Sequence, residues 1–168
     1  MYVLDATPLI YLAKAEALEV LDGFEVVTTL RVHDEVVIRG REAGAPDARR
    51  VERYGLSVVE APENEIYERL SDVPGLSDAD ASVLALADEK DATAVMDEKR
   101  GRNVAEVESI DVRGTAYLLL VAVKNDEREL SAEDEREILD TMVEAGWYCS
   151  TSFYAKTVRK IDELDDSR

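Results

Sequence analysis

The chain has 168 residues, which is enough for one domain with a hydrophobic core and too few for two ordinary domains. Asp and Glu number 38 against 20 Lys and Arg, so the net charge is −18, and the acids are scattered along the chain as on a solvated surface. A single cysteine, Cys149, excludes an intramolecular disulfide and a cysteine zinc site. No apolar run approaches the roughly 20 residues that span a bilayer, so we expect a soluble, cytoplasmic protein without a membrane segment.

Short apolar segments that are typical of strands alternate along the chain with segments of helical periodicity. The first strand ends in Asp5, and Pro8 fits the first turn of the next helix with Thr7 as its N-cap. The predicted strands cover residues 2–4, 24–28, 56–59, 92–96 and 110–112.

The predicted helices follow these strands in order. One is capped by Thr29, carries Glu35 on its second turn and ends near Gly44. Others begin at Ser77 and after Glu98, and a last one includes Ala155, Val158 and Ile161. Further helices are predicted over residues 16–21, 48–54, 66–70, 115–124 and 132–145, the last with Ile138, Leu139, Met142 and Val143 facing inward.

Strands that alternate with helices at this spacing predict an α/β fold. We expect a single-domain, three-layer α/β/α architecture with a parallel sheet of about five strands and right-handed crossovers. The domain is expected to cover residues 1–164, and the tail at 165–168 is expected to fray.

The segment 76–105 organises the candidate chemistry. Ser77 and Asp80 have the spacing of a capping box, so Asp80 should lie in the first turn of a helix. The strand over 92–96 ends at Asp97 and Glu98, and the carboxyl end of a strand in an open α/β sheet faces the ligand crevice. When each acid is considered alone, the simpler interpretation is that Asp80 is only a helix cap and Asp97 only a turn residue.

Several common site types are absent from the sequence. No Gly-rich turn follows a strand, so a P-loop and a dinucleotide fingerprint are excluded and nucleotide-dependent classes are disfavoured. There is no G-x-S-x-G elbow, and His33, the only histidine, would have to serve any serine triad alone. We interpret His33 as a surface residue.

Four acids remain that end a strand or lie near the start of a helix: Asp5, Glu35, Asp80 and Asp97, with Glu98 beside the last. Four carboxylates in one crevice repel each other unless cations neutralise them, and hard oxygen ligands suit Mg²⁺ or Mn²⁺. Carboxylate-bound ions of this kind are the usual device for hydrolysing phosphodiesters.

These acids, taken with their neighbours, resemble the ordered acidic motifs of the PIN-domain family. The motifs are DAT at 5–7, VHDEV at 32–36, LSDAD at 76–80 ahead of LALA at 84–87, and VMDE at 95–98 ahead of RGR at 100–102. The segment EAGWY at 144–148, followed by a last helix, is similar to the C-terminal part of the family's sequences. The resemblance therefore covers nearly the whole chain. It implies a five-stranded sheet in the order 3-2-1-4-5.

The resemblance also implies a metal-dependent ribonuclease that binds RNA, in a family that includes the VapC-type toxins of toxin–antitoxin pairs. Asp5, Asp80 and Asp97 would be the main ligands of Mg²⁺ or Mn²⁺, and Glu35 would bind through water or position the nucleophile. Glu98 would be a secondary ligand, in the first turn of its helix and paired with Arg102. An antitoxin protein and a homodimer are the partners implied, the dimer also because residues 118–123 are more apolar than one helix face buries.

Two positions depart from the family's pattern. Many relatives carry Glu where this chain has Asp80, and many toxins carry Thr where this chain has Met96, which we expect to pack into the sheet. Candidate substrate contacts are Thr7, Arg39, Arg41, Lys99, Arg100 and Arg102; the five basic residues can equally be interpreted as partners of acids on helix faces. Tyr11, Tyr54 and Trp147 are candidates for base stacking, although such residues more often lie in a core.

Two rival functions remain open. A PIN-like fold that no longer cleaves would serve as an RNA- or protein-interaction module, although the presence of all four acids argues against it. An aspartate-dependent phosphatase of the haloacid-dehalogenase type also begins with a strand-end Asp, but it expects a second acid two residues on, where this chain has Thr7.

The charged surface has its own interpretation. With 6 Lys against 14 Arg and abundant acids, the composition resembles that of proteins from salt-loving archaea. At molar salt the Debye length falls to about 3 Å, so the self-repulsion of an acidic surface is screened. On this interpretation the acidic composition indicates a salt-rich habitat more than it indicates the type of binding partner. In an organism of low internal salt, the same net charge would argue against a nucleic-acid substrate.

Overall fold

A computed structural model describes residues 1–124 and 130–165. Within these residues, five parallel strands form one sheet in the order β3-β2-β1-β4-β5, as the family resemblance implied. The strands are Tyr2–Leu4 (β1), Val26–Thr29 (β2), Ser57–Val59 (β3), Thr93–Val95 (β4) and Val112–Arg113 (β5).

The central strand β1 sets the register of the sheet. Leu4 lies opposite Thr28 of β2 on one side and opposite Val95 of β4 on the other. Val3 and Leu4 are fully buried because helices cover both faces of a parallel sheet. The carboxyl ends of β1, β2 and β4 therefore lie side by side at one edge.

Helices lie on the two faces of the sheet and complete a three-layer α/β/α architecture. The helix α6 packs on β1, β2 and β4, and α1, α4 and α9 pack together, as do α8, α9 and α10. The helices are Ala6–Lys14 (α1), Leu30–His33 (α2), Gly40–Glu42 (α3), Pro46–Tyr54 (α4), Glu65–Ser71 (α5), Asp78–Glu89 (α6), Lys99–Val107 (α7), Thr115–Lys124 (α8), Ala132–Glu144 (α9) and Thr151–Asp165 (α10).

The segment between α2 and α3 is not regular α-helix. Residues Asp34–Arg39 form a π-helical turn, so α2, this turn and α3 follow one another without a break. Thr29 caps the start as predicted, because its hydroxyl accepts a hydrogen bond from the Val32 N–H at 3.2 Å. Short π-helical turns inside helices are frequent at functional sites, and this one carries Glu35.

Three local predictions are wrong. The predicted helix over 16–21 is a single 3-10 turn at Leu18–Leu21. The first helix starts at Ala6, so its N-cap is Asp5 and not Thr7. Val143 does not face inward but is 37% exposed, because the inward face of α9 is set by Leu139 and Met142.

The apolar helix α8 is buried within its own chain. Leu118, Leu119, Ala122 and Val123 are fully buried, and α8 packs against α9 and α10. Leu120 and Val121, the other two residues of the stretch that suggested a dimer, are half-buried, and the dimer remains a prediction. No helix among the described residues is long and apolar enough to cross a membrane. Of the predicted tail, Asp165 ends α10 and residues 166–168 lie outside the described residues.

Candidate functional site

Asp5 and Asp97 follow two neighbouring strands at the same edge of the sheet. The Asp5 N–H donates a hydrogen bond to the Val95 carbonyl at 3.0 Å, which continues the pairing of β1 with β4. Asp97 lies two residues beyond Val95. Adjacent parallel strands thus deliver both carboxylates to the crevice at the switch point of the strand order.

Asp5 is the most buried of the four predicted acids, with 4% of its surface exposed. Burial, followed by the negative charge of Asp80, raises the pKa of Asp5 to about 7. A hydrogen bond from the backbone of Ala6 acts in the opposite direction, and the charges of Glu35 and Asp97 raise the pKa further. All three other acids act on Asp5, so each of them lies within electrostatic range of its carboxyl.

Asp80 is fixed by the capping box at the start of α6. Its Oδ2 accepts hydrogen bonds from the Ser77 N–H at 3.0 Å and the Ser77 hydroxyl at 2.8 Å. In return the Asp80 N–H donates to the Ser77 Oγ at 3.0 Å. No hydrogen bond from a described residue reaches Oδ1 of Asp80, which leaves that oxygen available to a ligand.

Glu35 is exposed on the π-helical turn. The start of its helix is tied to α6 by a buried hydrogen bond of 2.7 Å between the hydroxyls of Thr29 and Ser82. The Ser82 hydroxyl can also donate to the Ala79 carbonyl at 2.7 Å. The helix that carries Glu35 is therefore docked against the first turns of the helix that carries Asp80.

Asp97 is held by three hydrogen bonds. Its Oδ1 accepts from the Thr115 N–H at 2.8 Å, and its Oδ2 accepts from the Thr115 hydroxyl at 2.6 Å and from Nε1 of Trp147 at 2.8 Å. Gly114 makes room for this carboxylate, because a Cβ there would lie 3.0 Å from Oδ1.

Sequence reasoning missed Thr115 and treated Trp147 only as a candidate for stacking or the core. The one local signal was a hydroxyl residue opening the helix after the fifth strand. Nothing in the sequence pairs Trp147 with a residue 50 positions earlier, because that contact arises only when α9 and α10 fold back on the sheet.

Met96 and Glu98 flank Asp97. The predicted position of Met96 is confirmed, and the predicted position of Glu98 in a helical turn is wrong. Met96 is fully buried as predicted, and Gly101 permits this, since a Cβ at Gly101 would lie 2.5 Å from the Met96 sulfur. Glu98 is the exposed N-cap of α7 and not a member of its first turn. Among the described residues it forms no ion pair with Arg102; instead the Arg102 N–H donates to the Glu98 carbonyl at 3.1 Å.

The donor set matches a hard divalent cation in chemistry and charge. No ion pair between described residues involves Asp5, Glu35, Asp80 or Asp97, although Arg102 lines the same two cavities as Asp97. Within residues 1–124 and 130–165, however, no three acidic, histidine or cysteine side chains are close enough together to form a finished ligand cluster. Asp97 lines two cavities beside α7 and α8, and Glu35 lines a separate one between its own helix and the start of α6.

The residues predicted to contact the substrate differ in whether they already form an ion pair with an acid. Arg39 is paired with Asp34 at 3.0 Å and Arg41 with Glu52 at 2.6 Å, as the helix-face alternative expected. Lys99, Arg100 and Arg102 are exposed, and Thr7 is half-buried in the first turn of α1. Of these, Arg102 lines two cavities together with Asp97, of about 670 and 440 Å³.

The three candidate stacking residues have other contacts. Trp147 is 5% exposed, so its ring faces cannot receive a base in this conformation. The Tyr11 hydroxyl donates to the Gly146 carbonyl at 3.2 Å, and the Tyr54 hydroxyl donates to Asp22 at 2.8 Å.

Comparison with known proteins gives one match. The model of a family described as DUF3368: PIN domain matches residues 1–163. No curated protein and no solved structure matches the chain.

Proposed function

The chain belongs to the PIN-domain family, and from this premise we propose that it is a ribonuclease that hydrolyses RNA phosphodiester bonds with Mg²⁺ or Mn²⁺. PIN domains are generally nucleases that act on nucleic acid and use divalent metal ions. The choice of RNA among nucleic acids is supported by the resemblance of the four motifs to those of the family's ribonucleases.

The observation that carries the proposal is the convergence of four unpaired carboxylates at one edge of the sheet. Asp5 and Asp97 follow adjacent strands, and Asp80 opens the helix that packs on those strands. The buried carboxylate of Asp5 is unfavourable for a purely structural role, because burial and the like charges near it raise the free energy of its ionised form.

In this proposal Asp5, Asp80 and Asp97 hold the ion or ions, Glu35 acts through water or positions the nucleophile, and Glu98 is a secondary ligand. When bound, the ion would neutralise the carboxylates, polarise the phosphodiester and make water a stronger nucleophile. The hydrogen bonds on Asp97 and Asp80 support these roles, since they fix each carboxylate before a ligand arrives.

Asp5 contributes through its protonation state. With a pKa of about 7, its carboxyl is roughly half protonated at neutral pH in the protein without metal. Binding of a cation requires the ionised form, so Asp5 releases its proton as the ion enters. Thr7, Arg39, Arg100 and Arg102 are the candidate contacts for the phosphates of the substrate in this proposal.

The test is cleavage of a mixed RNA panel at high salt by wild type and by Asp5→Asn, with and without Mn²⁺. Wild type should cleave only with the ion, and Asp5→Asn should not cleave. Asp88→Asn is the matched control, because Asp88 is exposed near the other end of α6 from Asp80 and should cleave like wild type. Wild type that binds RNA without cleaving it under any divalent ion would instead establish an interaction module.

The resemblance to VapC-type toxins supports a finer proposal, that the enzyme is the toxin of a toxin–antitoxin pair and acts as a homodimer. Expression of wild type, but not of Asp5→Asn, should then arrest growth of the host cell. Light scattering at high salt should give twice the mass of 18.7 kDa. A monomer at every concentration would reject the dimer.

A further inference from the structure

A second feature lies beside the acidic site. A cavity of about 670 Å³ opens between the first half of α8, one face of α10 and the segment that joins α9 to α10, and Asp97 is among its lining residues. Its volume lies in the range of ordinary small-ligand sites, about 300–1,000 Å³. We call it the α8/α10 groove.

The charge of the groove is opposite to that of the protein. Its lining holds four cations, Arg102, Arg113, Lys156 and Lys160, and one carboxylate, Asp97, in a chain with 38 acids and 20 bases. Arg113 is paired with Asp111 and Lys160 with Glu163, but both pairs are exposed and hold their cations only weakly. Among the described residues Arg102 and Lys156 form no ion pair.

The groove also presents exposed aromatic rings. Tyr148 is 89% exposed and Phe153 is 42% exposed. Within the same lining the Arg113 guanidinium lies over the Tyr117 ring, 5.5 Å from its centroid. Exposed rings beside cations form the usual binding surface for single-stranded nucleic acid, on which bases stack while the cations follow the phosphates.

The aromatic wall is continuous with the acidic site. The Phe153 ring meets the Trp147 ring edge-on at 6.3 Å, and Trp147 donates to the Asp97 carboxylate at 2.8 Å. Asp97 is therefore the point at which a strand lying in the groove would meet the acidic site.

We propose that the α8/α10 groove binds nucleotides of single-stranded RNA next to the scissile phosphate, with a base on Tyr148 or Phe153 and a phosphate on Lys156. This proposal rests on the proposed ribonuclease function, because the groove is assigned to the RNA through Asp97, which lines it. An unpaired strand is required, since bases within a duplex have no free faces for the rings.

The test is the affinity for a labelled single-stranded oligouridylate, measured by fluorescence anisotropy in EDTA so that no cleavage occurs. Lys156→Gln should reduce the slope of log affinity against log salt by about 0.7, the value for one phosphate contact on a single strand. Lys90→Gln is the matched control, because it removes the same charge at the C-terminal end of α6 and should bind like wild type.

The stacking contact is tested separately. Tyr148→Ala should weaken binding about fivefold or more with the salt slope unchanged, since stacking on one ring contributes about 1–3 kcal/mol and no charge is lost. Val107→Ala, which truncates an 82% exposed side chain on α7, should bind like wild type. Equal melting temperatures verify that each variant is folded.

Failure of this proposal is distinguishable from failure of the proposed function. Wild type that cleaves RNA, with Lys156→Gln and Tyr148→Ala binding as the controls do, overturns the groove alone. Altered binding in both variants, with no cleavage by wild type, supports the groove and overturns the ribonuclease. A change of mass by light scattering in these variants without a change of RNA affinity would make the groove a protein-binding surface, which also overturns the proposal.

Discussion

At the scale of single residues, the four acids differ in how firmly they are held. Asp97 accepts three hydrogen bonds and Asp80 two, whereas Glu35 is exposed. Asp5 is buried and lies near the negative charges of the others, which raises its pKa.

The two neighbouring acids at the end of β4 should differ in their effect on cleavage. Asp97→Asn should reduce cleavage at least tenfold, or about 1.4 kcal/mol of transition-state stabilisation, because the anchored carboxylate faces the crevice. Glu98→Gln should retain most activity, since that side chain is the exposed N-cap of α7. The assay is RNA cleavage with Mn²⁺, and the reverse ranking with equal melting temperatures would assign the ligand to Glu98.

The raised pKa of Asp5 makes stability depend on pH in the absence of metal. Its carboxyl has a usual pKa of 3.8 and a folded-state pKa of about 7, so the folded protein binds more protons between these values. This group therefore lowers the free energy of unfolding as pH rises from about 4 to 7. The upper bound of the effect is roughly 4 kcal/mol.

Asp5→Asn should accordingly melt at a higher temperature than wild type at pH 8 in EDTA, and the gap should narrow towards pH 5. Added Mn²⁺ should stabilise wild type more than the variant, because the ion replaces the proton on an ionised Asp5. Thermal melts of both proteins and of the control Asp88→Asn measure this. A gap that stays constant with pH would contradict the assigned protonation.

At the scale of elements, the capping box of α6 joins helix stability to the acidic site. A second capping box starts α9, where Ser131 and Asp134 make the same reciprocal hydrogen bonds. The two boxes share one local design, but only the first contains an acid of the crevice. A variant of each box therefore distinguishes two effects. Both variants lose the helix cap, but only the variant of the first box loses the positioning of an acid of the crevice.

Ser77→Ala and Ser131→Ala should each lower the free energy of unfolding by about 1 kcal/mol, the usual cost of removing a Ser N-cap. Only Ser77→Ala should also lower RNA cleavage, because it frees the Asp80 carboxylate from the Ser77 hydroxyl. Denaturant unfolding and cleavage rates are the two measurements. Equal activity losses in both variants would show that helix stability alone limits catalysis.

At the scale of the whole molecule, the net charge of −18 determines how the fold responds to salt. Like charges spread over a small surface repel in dilute buffer, and added ions screen them. The pKa of Asp5, in contrast, is raised first by burial and then by nearby acids, and the screening of a buried group by salt is weak.

The melting temperature should rise markedly as KCl increases from dilute buffer to the molar range. Replacing the exposed acids Glu106, Glu137 and Glu144 by Gln should make the rise smaller, because less repulsion remains to be screened. Calorimetry of both proteins over a KCl series measures the effect. A melting temperature that does not change with salt would show that the acidic surface has another purpose.

The sequence by itself determined the order and type of most elements and the positions of the four acids. Apolar strands, Thr29 as a cap and the Ser77–Asp80 box are local patterns, and local hydrogen bonds are sufficient to form them. The strand order came from the family resemblance carried by those acids.

Only the tertiary structure decided how the acids are held and what lies beside them. The anchoring of Asp97 by Thr115 and Trp147 joins residues 18 and 50 positions apart, and the α8/α10 groove joins elements that have no common sequence pattern. The π-helical turn at Glu35 is equally hidden, because its hydrophobic periodicity differs little from that of an α-helix over six residues. Burial and charge proximity, which raise the pKa of Asp5, exist only once the sheet brings distant segments together.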